Sequence, residues 1–353
     1  MRILDLMGVT ELGKLIEKSR QEVELIRLNG RIISIDAYNA LYQFLASIRQ
    51  PDGTPLMDSL GRVTSHLNGL LYRTINLLEN GIKPVYVFDG KPPQLKATEI
   101  ERRRQRKIEE AQAAEAALRL GDVKEARKHV QRSIFLRDDM VNDAKELLRA
   151  MGIPWVQAPG EGEAEAAFMS ARGISWATGS QDYDSLLFGS PRLIRNLTIT
   201  GRRKLPNKNE YVEIKPELIE LSNVLSELGL RDRIQLIDLA ILIGTDYNPD
   251  GIPGVGPQRA LKMIKEYGSI EKIVKVIGSD KFPMDPLSIR DYFLKPDVIE
   301  VKVVSFGKPN EDEIINILVR NHDFNQDRVK GAIDRLKKAM SRVGGSSTLD
   351  SFM

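Results

Sequence analysis

Apolar and polar positions change their period along this chain, and the changes divide it into regions. Residues 31–36, R-I-I-S-I-D, are a short β-branched run ending in an acid, and 83–90, K-P-V-Y-V-F-D-G, repeat the pattern. A third run, I-S-W-A-T-G-S at 174–180, leads into Q-D-Y-D. Short apolar runs of this kind predict buried strands. Between them the period lengthens. Ala40, Leu41, Phe44, Leu45 and Ile48 recur at helical spacing, P-D-G-T-P at 51–55 reads as a turn, and 67–78 are amphipathic, closed by Gly81. Strands alternating with helices predict an α/β fold, a mostly parallel central sheet flanked by helices. Ligands of such sheets bind beyond the carboxyl ends of the strands, where Asp36, Asp89, Asp182 and Asp184 fall.

Residues 96–151 break the alternation. They are rich in Ala, Glu, Lys, Arg and Gln, contain no Pro, and read as two helices broken near Gly121-Asp122. The first has a thin apolar stripe (Ile100, Ile108, Ala111), so it is expected to project and bury little; the second is stronger (Ile134, Phe135, Val141, Leu147, Leu148). From 234 to 277 the pattern is helix, Gly-rich hairpin, helix, the hairpin being G-I-P-G-V-G-P-Q-R-A at 251–260. Residues 282–310 read as loop-rich, 311–342 as helical, and 344–353 as a flexible stalk with a small apolar tip.

Composition narrows the chemistry. The 353 residues suffice for about two domains, and no apolar run approaches the roughly 20 residues of a membrane span. The first residues lack a basic and then apolar leader pattern, so export is not expected. Cysteine is absent, which excludes disulfides, thiolate metal sites and thiol catalysis. With only three His (His66, His129, His322), any metal must be held by oxygen, which favours Mg²⁺ or Mn²⁺. The net charge of +3 decides little, but its distribution matters. Lys91, Lys96, Arg102, Arg103, Arg104, Arg106 and Lys107 crowd one stretch, and Arg202, Arg203 and Lys204 another, as in a protein that grips a polyanion.

Seven acids stand out in separate segments: Asp36, Asp89, Glu161, Glu163, Asp182, Asp184 and Asp246. Each alone has a plain structural reading. An Asp after a strand caps the next helix, Glu161 and Glu163 suit a helix N-terminus, and Asp246 in G-T-D-Y-N-P-D-G suits an Asx-turn. Together they are different, because clustered carboxylates repel unless a cation neutralises them. Two divalent ions about 4 Å apart would do so and would clamp both oxygens of a phosphodiester. Residues i and i+2 diverge on a helix, so Glu161 is expected just at or before the helix start and Glu165 is expected to point elsewhere. Lys96 and Arg103, seven apart, are expected on one helix face. Two other readings stay open from the residues: a non-catalytic DNA-binding scaffold with a degenerate site, and a metal-dependent phosphomonoesterase using D-Y-D.

Four motifs carry a resemblance: V-Y-V-F-D-G-K-P-P-Q-L-K at 85–96, Q-A-P-G-E-G-E-A-E-A at 157–166, Q-D-Y-D-S-L-L-F-G at 181–189 and I-G-T-D-Y-N-P-D-G-I-P-G-V-G-P-Q-R-A at 243–260. In this order they resemble the archaeal flap endonucleases, from about Met7 onward. The resemblance implies a mixed sheet between helices, a helical arch, and a helix-two-turn-helix element that grips duplex DNA. It implies a nuclease that cuts near the base of a 5′ flap, with 5′ exonuclease activity, in replication and base excision repair. All seven acids match the family's metal ligands for two Mg²⁺, with Mn²⁺ able to substitute, and Lys96 and Arg103 match residues that reach the scissile phosphate.

The same resemblance assigns DNA contacts to Tyr42 (stacking on a base), Arg49, Arg73, Gly244, Gly254 and Gly256, and to Glu161 and Asp246 beside the metals, with K⁺ at the hairpin. Gly254 and Gly256 allow close backbone approach to a phosphate, beside a helix N-terminus that favours anions. Implied regions are a nuclease part at 1–105, an arch at 96–137, an internal nuclease part at 123–265 with the hairpin element at about 234–277, a helical part at 266–343 and a tail at 344–353. The tail resembles a sliding-clamp peptide in which Leu349 and Phe352 keep the apolar anchors; Met353 takes the last aromatic's place and Ser346 that of Gln. The family's usual M-G start matches Met7-Gly8, so either Met7 is the natural start or the six residues before it must find space near the DNA path, where they are expected to lower activity or shift substrate preference. A monomer acting on DNA inside the cell, in the cytoplasm, is expected.

Overall fold

The computed structural model describes residues 9–50, 54–132, 135–199, 201–204 and 211–345. In chain order the strands and helices are β1 (Arg20–Glu22), β2 (Ile32–Asp36), α1 (Ala37–Ser47), α2 (Ser65–Glu79), β3 (Lys83–Phe88), α3 (Ala97–Arg119), α4 (Val123–Arg132), α5 (Asp138–Ala150) and β4 (Trp155–Gln157). They continue with α6 (Gly162–Ala171), β5 (Ala177–Gly179), α7 (Asp184–Leu187), β6 (Arg192–Arg195), β7 (Gly201–Lys204), β8 (Tyr211–Ile214), β9 (Glu217–Glu220), α8 (Leu221–Leu228) and α9 (Arg233–Ile243). The last are α10 (Pro257–Tyr267), α11 (Ile270–Ile277), α12 (Pro286–Leu294), α13 (Glu311–Ile315) and α14 (Gln326–Gly345). Two compact units share the chain. One comprises Met1–Val23, Val87–Glu101 and Gln157–Val301, the other Glu24–Tyr86, Arg102–Val156 and Lys302–Met353.

In the first unit four strands lie side by side in the order β1-β9-β6-β5. β5 and β6 are parallel, with Thr178 opposite Leu193, whereas β9 runs antiparallel to both β6 and β1. A hairpin, β7 with β8, stands outside this sheet. The core gathers Leu12, Ile16, Leu187, Leu193, Ile219, Leu236, Leu239, Ile264, Ile273 and Phe293. α9, R-I-Q-L-I-D-L-A-I-L-I, is buried from Gln235 to Ile243, its start capped by Asp232 through the Gln235 N–H at 3.0 Å. Beyond the Gly-rich hairpin, Gly256 and Pro257 open α10, which is followed by α11, a helix more than the sequence pattern called for.

The second unit packs α1 on α2, and α2 on α5 and α14. The first contact is very close. A Cβ on Gly69 would stand 2.3 Å from Phe44 Cγ, so the absence of a side chain there sets the spacing of the two helices. Leu41, Phe44, Leu67, Leu71, Ile75, Leu148, Val329 and Ile333 are buried here. The expected break near Gly121 is present with Gly121 at φ +76, and Ile100 and Ile108 of α3 are exposed. The expected second helix, however, is two, α4 and α5, with α5 starting afresh at Asp138.

Two further stretches differ from the sequence reading. Residues 282–310 are not loop throughout. Asp285 accepts the N–H groups of Leu287 and Ser288 and Pro286 occupies the first helical position, so α12 forms where several prolines suggested coil. The final helix is interrupted: α13 passes into a π-helical turn at Asn316–Arg320, and Asp323 at φ 57 breaks the chain direction before α14. No helix among the described residues is long and apolar enough to cross a membrane.

Candidate active site

Two chain segments of the first unit deliver acids to one ammonium group, which a third segment supplies. After β3 the chain passes Asp89, and Lys96 lies in a single 3₁₀ turn, Gln94–Lys96, that precedes α3. Lys96 and Arg103 are therefore not on one continuous α-helix; only Arg103 lies in α3. Pro159-Gly160 brings Glu161 to the N-cap of α6, just before the helix start as the spacing required. Glu161 makes no cap bond with its side chain; it turns outward to Lys96. Asp246 arrives from the turn after α9, where Thr245 Oγ1 donates to Asn248 Oδ1 at 2.6 Å and the Tyr247 N–H donates to Thr245 Oγ1 at 3.1 Å. Lys96 Nζ lies 2.8 Å from Asp246 Oδ2 and also pairs with Glu161 Oε1.

The other Glu161 oxygen is held as well. Tyr247 donates its hydroxyl to Oε2, and the Tyr292 hydroxyl of α12 lies 3.4 Å from the same atom. The two rings meet edge to face with centroids 5.1 Å apart. Asp89 Oδ1 accepts the Gly162 N–H at 2.6 Å. Burial nevertheless pushes its carboxyl up to about 6, with Glu161 and Asp246 adding to the rise and Lys96 opposing it. Glu163 Oε1 accepts both the N–H and the hydroxyl of Ser185, at 2.9 and 2.5 Å. Asp184 is buried and accepts the Val9 N–H at 2.8 Å; burial and the neighbouring Asp246 and Asp182 raise its carboxyl well above the ordinary range. Asp182 is buried beside it. Glu165 points elsewhere, into a buried position where it accepts the Ile299 N–H at 2.8 Å.

Asp36, in the second unit, ends β2 and caps α1, its Oδ1 accepting the Asn39 N–H at 3.0 Å, so its plain capping role is real. Tyr42 on α1 accepts from Lys107 Nζ at 3.1 Å, and the same ammonium stands 4.5 Å from the centre of its ring. Arg49 and Arg73 are half-buried. In the first unit, Gly244 has φ 112 and a Cβ there would stand 2.7 Å from Pro249 O, so this position requires glycine. Gly254 has φ +76, and Gly256 is the N-cap of α10; no described atom comes within 4 Å of where their Cβ atoms would be. The candidate clamp residues Leu349, Phe352 and Met353, and the start at Met7-Gly8, lie outside the described residues.

Among the described residues no three acidic or histidine side chains form a ready cage for one ion. The donor set fits a hard cation all the same. It is all oxygen, it already attracts a positive group in Lys96, and burial together with the neighbouring acids raises the proton affinity of Asp89 and Asp184, a cost that a cation would offset. Tyr247, Tyr292 and Ser185 escaped the sequence reading. Tyr247 adjoins a flagged acid, but nothing local marks Tyr292, 131 residues from Glu161.

Buried acids beside a lysine on an α/β scaffold with a basic helix define a nuclease-like hydrolase, and comparison with known proteins gives it a family. The XPG N-terminal domain model matches residues 7–110 and the XPG I-region model residues 152–246. Flap endonuclease 1 of Caldivirga maquilingensis is 65% identical over 98% of this chain and 99% of its own, and that of Pyrobaculum islandicum 59% over 98% and 100%. The solved flap endonuclease-1 from Methanococcus jannaschii has TM-score 0.72 and 40% identity over 92% of this chain and 96% of that one. The catalytic core of Rad2 in complex with DNA substrate shares the fold, with TM-score 0.69 and 24% identity over 92% and 99%.

The chain belongs to the flap endonuclease 1 family. It is a structure-specific flap endonuclease, a metal-dependent hydrolase of DNA phosphodiester bonds with roles in replication and repair. This membership displaces the readings as an inert scaffold or a phosphomonoesterase. The expected α/β fold with arch and helix-two-turn-helix element is the fold of the family.

Proposed function

We propose that the enzyme cuts a 5′ flap at the acids gathered around Lys96, with Asp36, Asp89, Glu161, Glu163, Asp182, Asp184 and Asp246 holding two Mg²⁺, for which Mn²⁺ can substitute. The observation that carries this is the Lys96 ammonium joining Glu161 and Asp246, acids from segments far apart in sequence. When bound, the ions supply Lewis acidity and a water of lowered pKa. The chain's own part is positional and electrostatic. Lys96 leaves the acids for the scissile phosphate, where it and Arg103 offset charge developing in the transition state. Tyr247 and Tyr292 hold Glu161 in place, and Ser185 holds Glu163. The products are a 5′-phosphate and a 3′-hydroxyl, and the same geometry gives 5′ exonuclease action.

Tyr42 stacks on a base near the cut, and Arg49, Arg73, Gly244, Gly254 and Gly256 meet the DNA backbone, K⁺ assisting at the hairpin, with Glu161 and Asp246 also facing DNA. The regions follow this division of labour: nuclease parts at 1–105 and 123–265, an arch at 96–137, a hairpin element at about 234–277, a helical part at 266–343 and a clamp-binding tail at 344–353. The enzyme acts as a monomer, on DNA in the cytoplasm, and meets a sliding clamp through Leu349, Phe352 and Met353. The test is cleavage of an end-labelled double-flap substrate in Mg²⁺, with wild type and Asp182→Ala side by side. A flap-length product from wild type, with Asp182→Ala silent but still bound to DNA, supports the assignment. Cleavage by Asp182→Ala at the wild-type rate overturns it.

A further inference from the structure

The D-Y-D segment leads from the end of β5 into α7, with Asp182 in the connection and Asp184 the first residue of the helix. One side chain spans it. Arg195, the last residue of β6, donates from Nε to the Gln181 carbonyl at 3.0 Å and from Nη1 to the Tyr183 hydroxyl at 2.6 Å. Gln181 and Tyr183 are the immediate neighbours of Asp182. The guanidinium also lies over the Tyr183 ring, 4.5 Å from its centre.

The guanidinium is itself fixed. Glu217 stands directly opposite Arg195 across the β6–β9 pair, with Oε2 3.4 Å from Nη1. Glu217 in turn is gripped by Arg20 of β1, at 2.7 and 3.1 Å. A Cβ at Gly13 would stand 2.7 Å from the Tyr183 hydroxyl and 3.0 Å from Cε2, so the absence of a side chain at Gly13 makes room for this end of the ring. Tyr183 is buried. None of these groups is an acid of the candidate site, and the network has no catalytic duty in the proposed reaction.

We propose that Arg195 is a positioning residue that sets the spacing and direction of Asp182 and Asp184 by fastening the residues on either side of Asp182. The proposal rests on the reading of Asp182 and Asp184 as metal ligands. A planar guanidinium serves two acceptors in different directions at once, and a lysine ammonium at the end of a flexible stem does not. Lysine at this position keeps the charge opposite Glu217 but loses one of the two fastenings.

Arg195→Lys, Tyr183→Phe and Asp182→Ala are compared with wild type in four measurements. These are calorimetric binding of Mn²⁺ to the DNA-free protein, DNA binding in Ca²⁺, kcat and KM on a flap substrate, and the unfolding midpoint. For Arg195→Lys we expect Mn²⁺ affinity and kcat to fall about 10- to 100-fold, the usual range for loss of an outer support of a metal ligand, with KM, DNA affinity and unfolding midpoint unchanged. Tyr183→Phe keeps the ring and the Gln181 bond and is expected to fall less. Wild-type Mn²⁺ affinity and kcat in Arg195→Lys would overturn the proposal. So would losses that run parallel to a lowered unfolding midpoint and weaker DNA binding, since Arg195 would then be a structural residue. If Asp182→Ala keeps full Mn²⁺ binding and cleavage, the metal reading itself falls, separately from the role of Arg195.

Discussion

Lys96 Nζ sits 2.8 Å from Asp246 Oδ2 while pairing with Glu161, so one lysine neutralises two acids that are 85 residues apart. Positive charge in that place has two uses. It offsets repulsion among the acids in the DNA-free protein, and it is available to a phosphate that displaces them. Lys96→Ala should separate the uses. Single-turnover cleavage should fall about 10²- to 10³-fold, as for loss of one group that stabilises transition-state charge. Mn²⁺ binding to the DNA-free protein, measured by calorimetry, should be retained or strengthened, because a competing cation has gone. Weakened Mn²⁺ binding would show Lys96 to be a support of the acids instead.

Asp89 gives a pH dependence with a definite sign. Its carboxyl titrates near 6 in the folded, DNA-free protein, above the usual range for an unfolded chain. The folded state therefore binds more protons between about pH 4 and 6, and the cost of burying the ionised form is felt above 6 and disappears as pH falls. In chelator, Asp89→Asn should be more stable than wild type at pH 7.5, with the advantage vanishing by about pH 4, as read from guanidinium unfolding midpoints. Protons also compete with metal, so Mn²⁺ affinity of the wild type should drop as pH is lowered through 6. A flat affinity from pH 5 to 7.5 would contradict this.

Glu161 depends on two tyrosines to different degrees. Tyr247 makes the close hydrogen bond and Tyr292 the longer one at 3.4 Å. Tyr247→Phe should lower kcat about 10-fold or more, within the range for loss of an outer support, and Tyr292→Phe clearly less. KM for the flap substrate should not change in either. Equal effects of the two substitutions would show that bond length is not what ranks them.

The approach of α1 and α2 sets a stability prediction. On helix propensity alone, Gly69→Ala would stabilise α2 by about 1 kcal/mol. A Cβ at 2.3 Å from Phe44 Cγ and 2.6 Å from its Cβ meets the base of that side chain and not a movable tip. Overpacking of about 1–3 kcal/mol should therefore win, and Gly69→Ala should unfold at lower denaturant than wild type. A Gly69→Ala protein more stable than wild type would refute the close packing.

Much of the fold was legible because local rules agree with the tertiary outcome where it was read. The runs at 31–36 and 83–90 became β2 and β3, and Asp36 at the end of one and Asp89 just past the other stand where strand ends usually present ligands. Glu161 fell at its helix start because Pro159-Gly160 cannot continue a helix backward. The antiparallel partners β1 and β9 were missed, since R-Q-E and E-L-I-E are too short and too polar to announce strands without their pairing. α12 was missed because the prolines that suggested coil include one at the first helical position, where proline is welcome.

The sequence by itself determined the chemistry available: no thiol, three histidines, and acids at the ends of apolar runs, which leave oxygen as the only metal donor of consequence. Those are matters of side-chain type and local spacing, and both are written in the chain. Tertiary structure alone decided which groups hold the acids. Tyr292 reaches Glu161 across 131 residues, and Arg195 reaches both neighbours of Asp182 only because β6 lies beside β5. Such pairings depend on how elements pack, and packing distance bears no relation to separation along the chain.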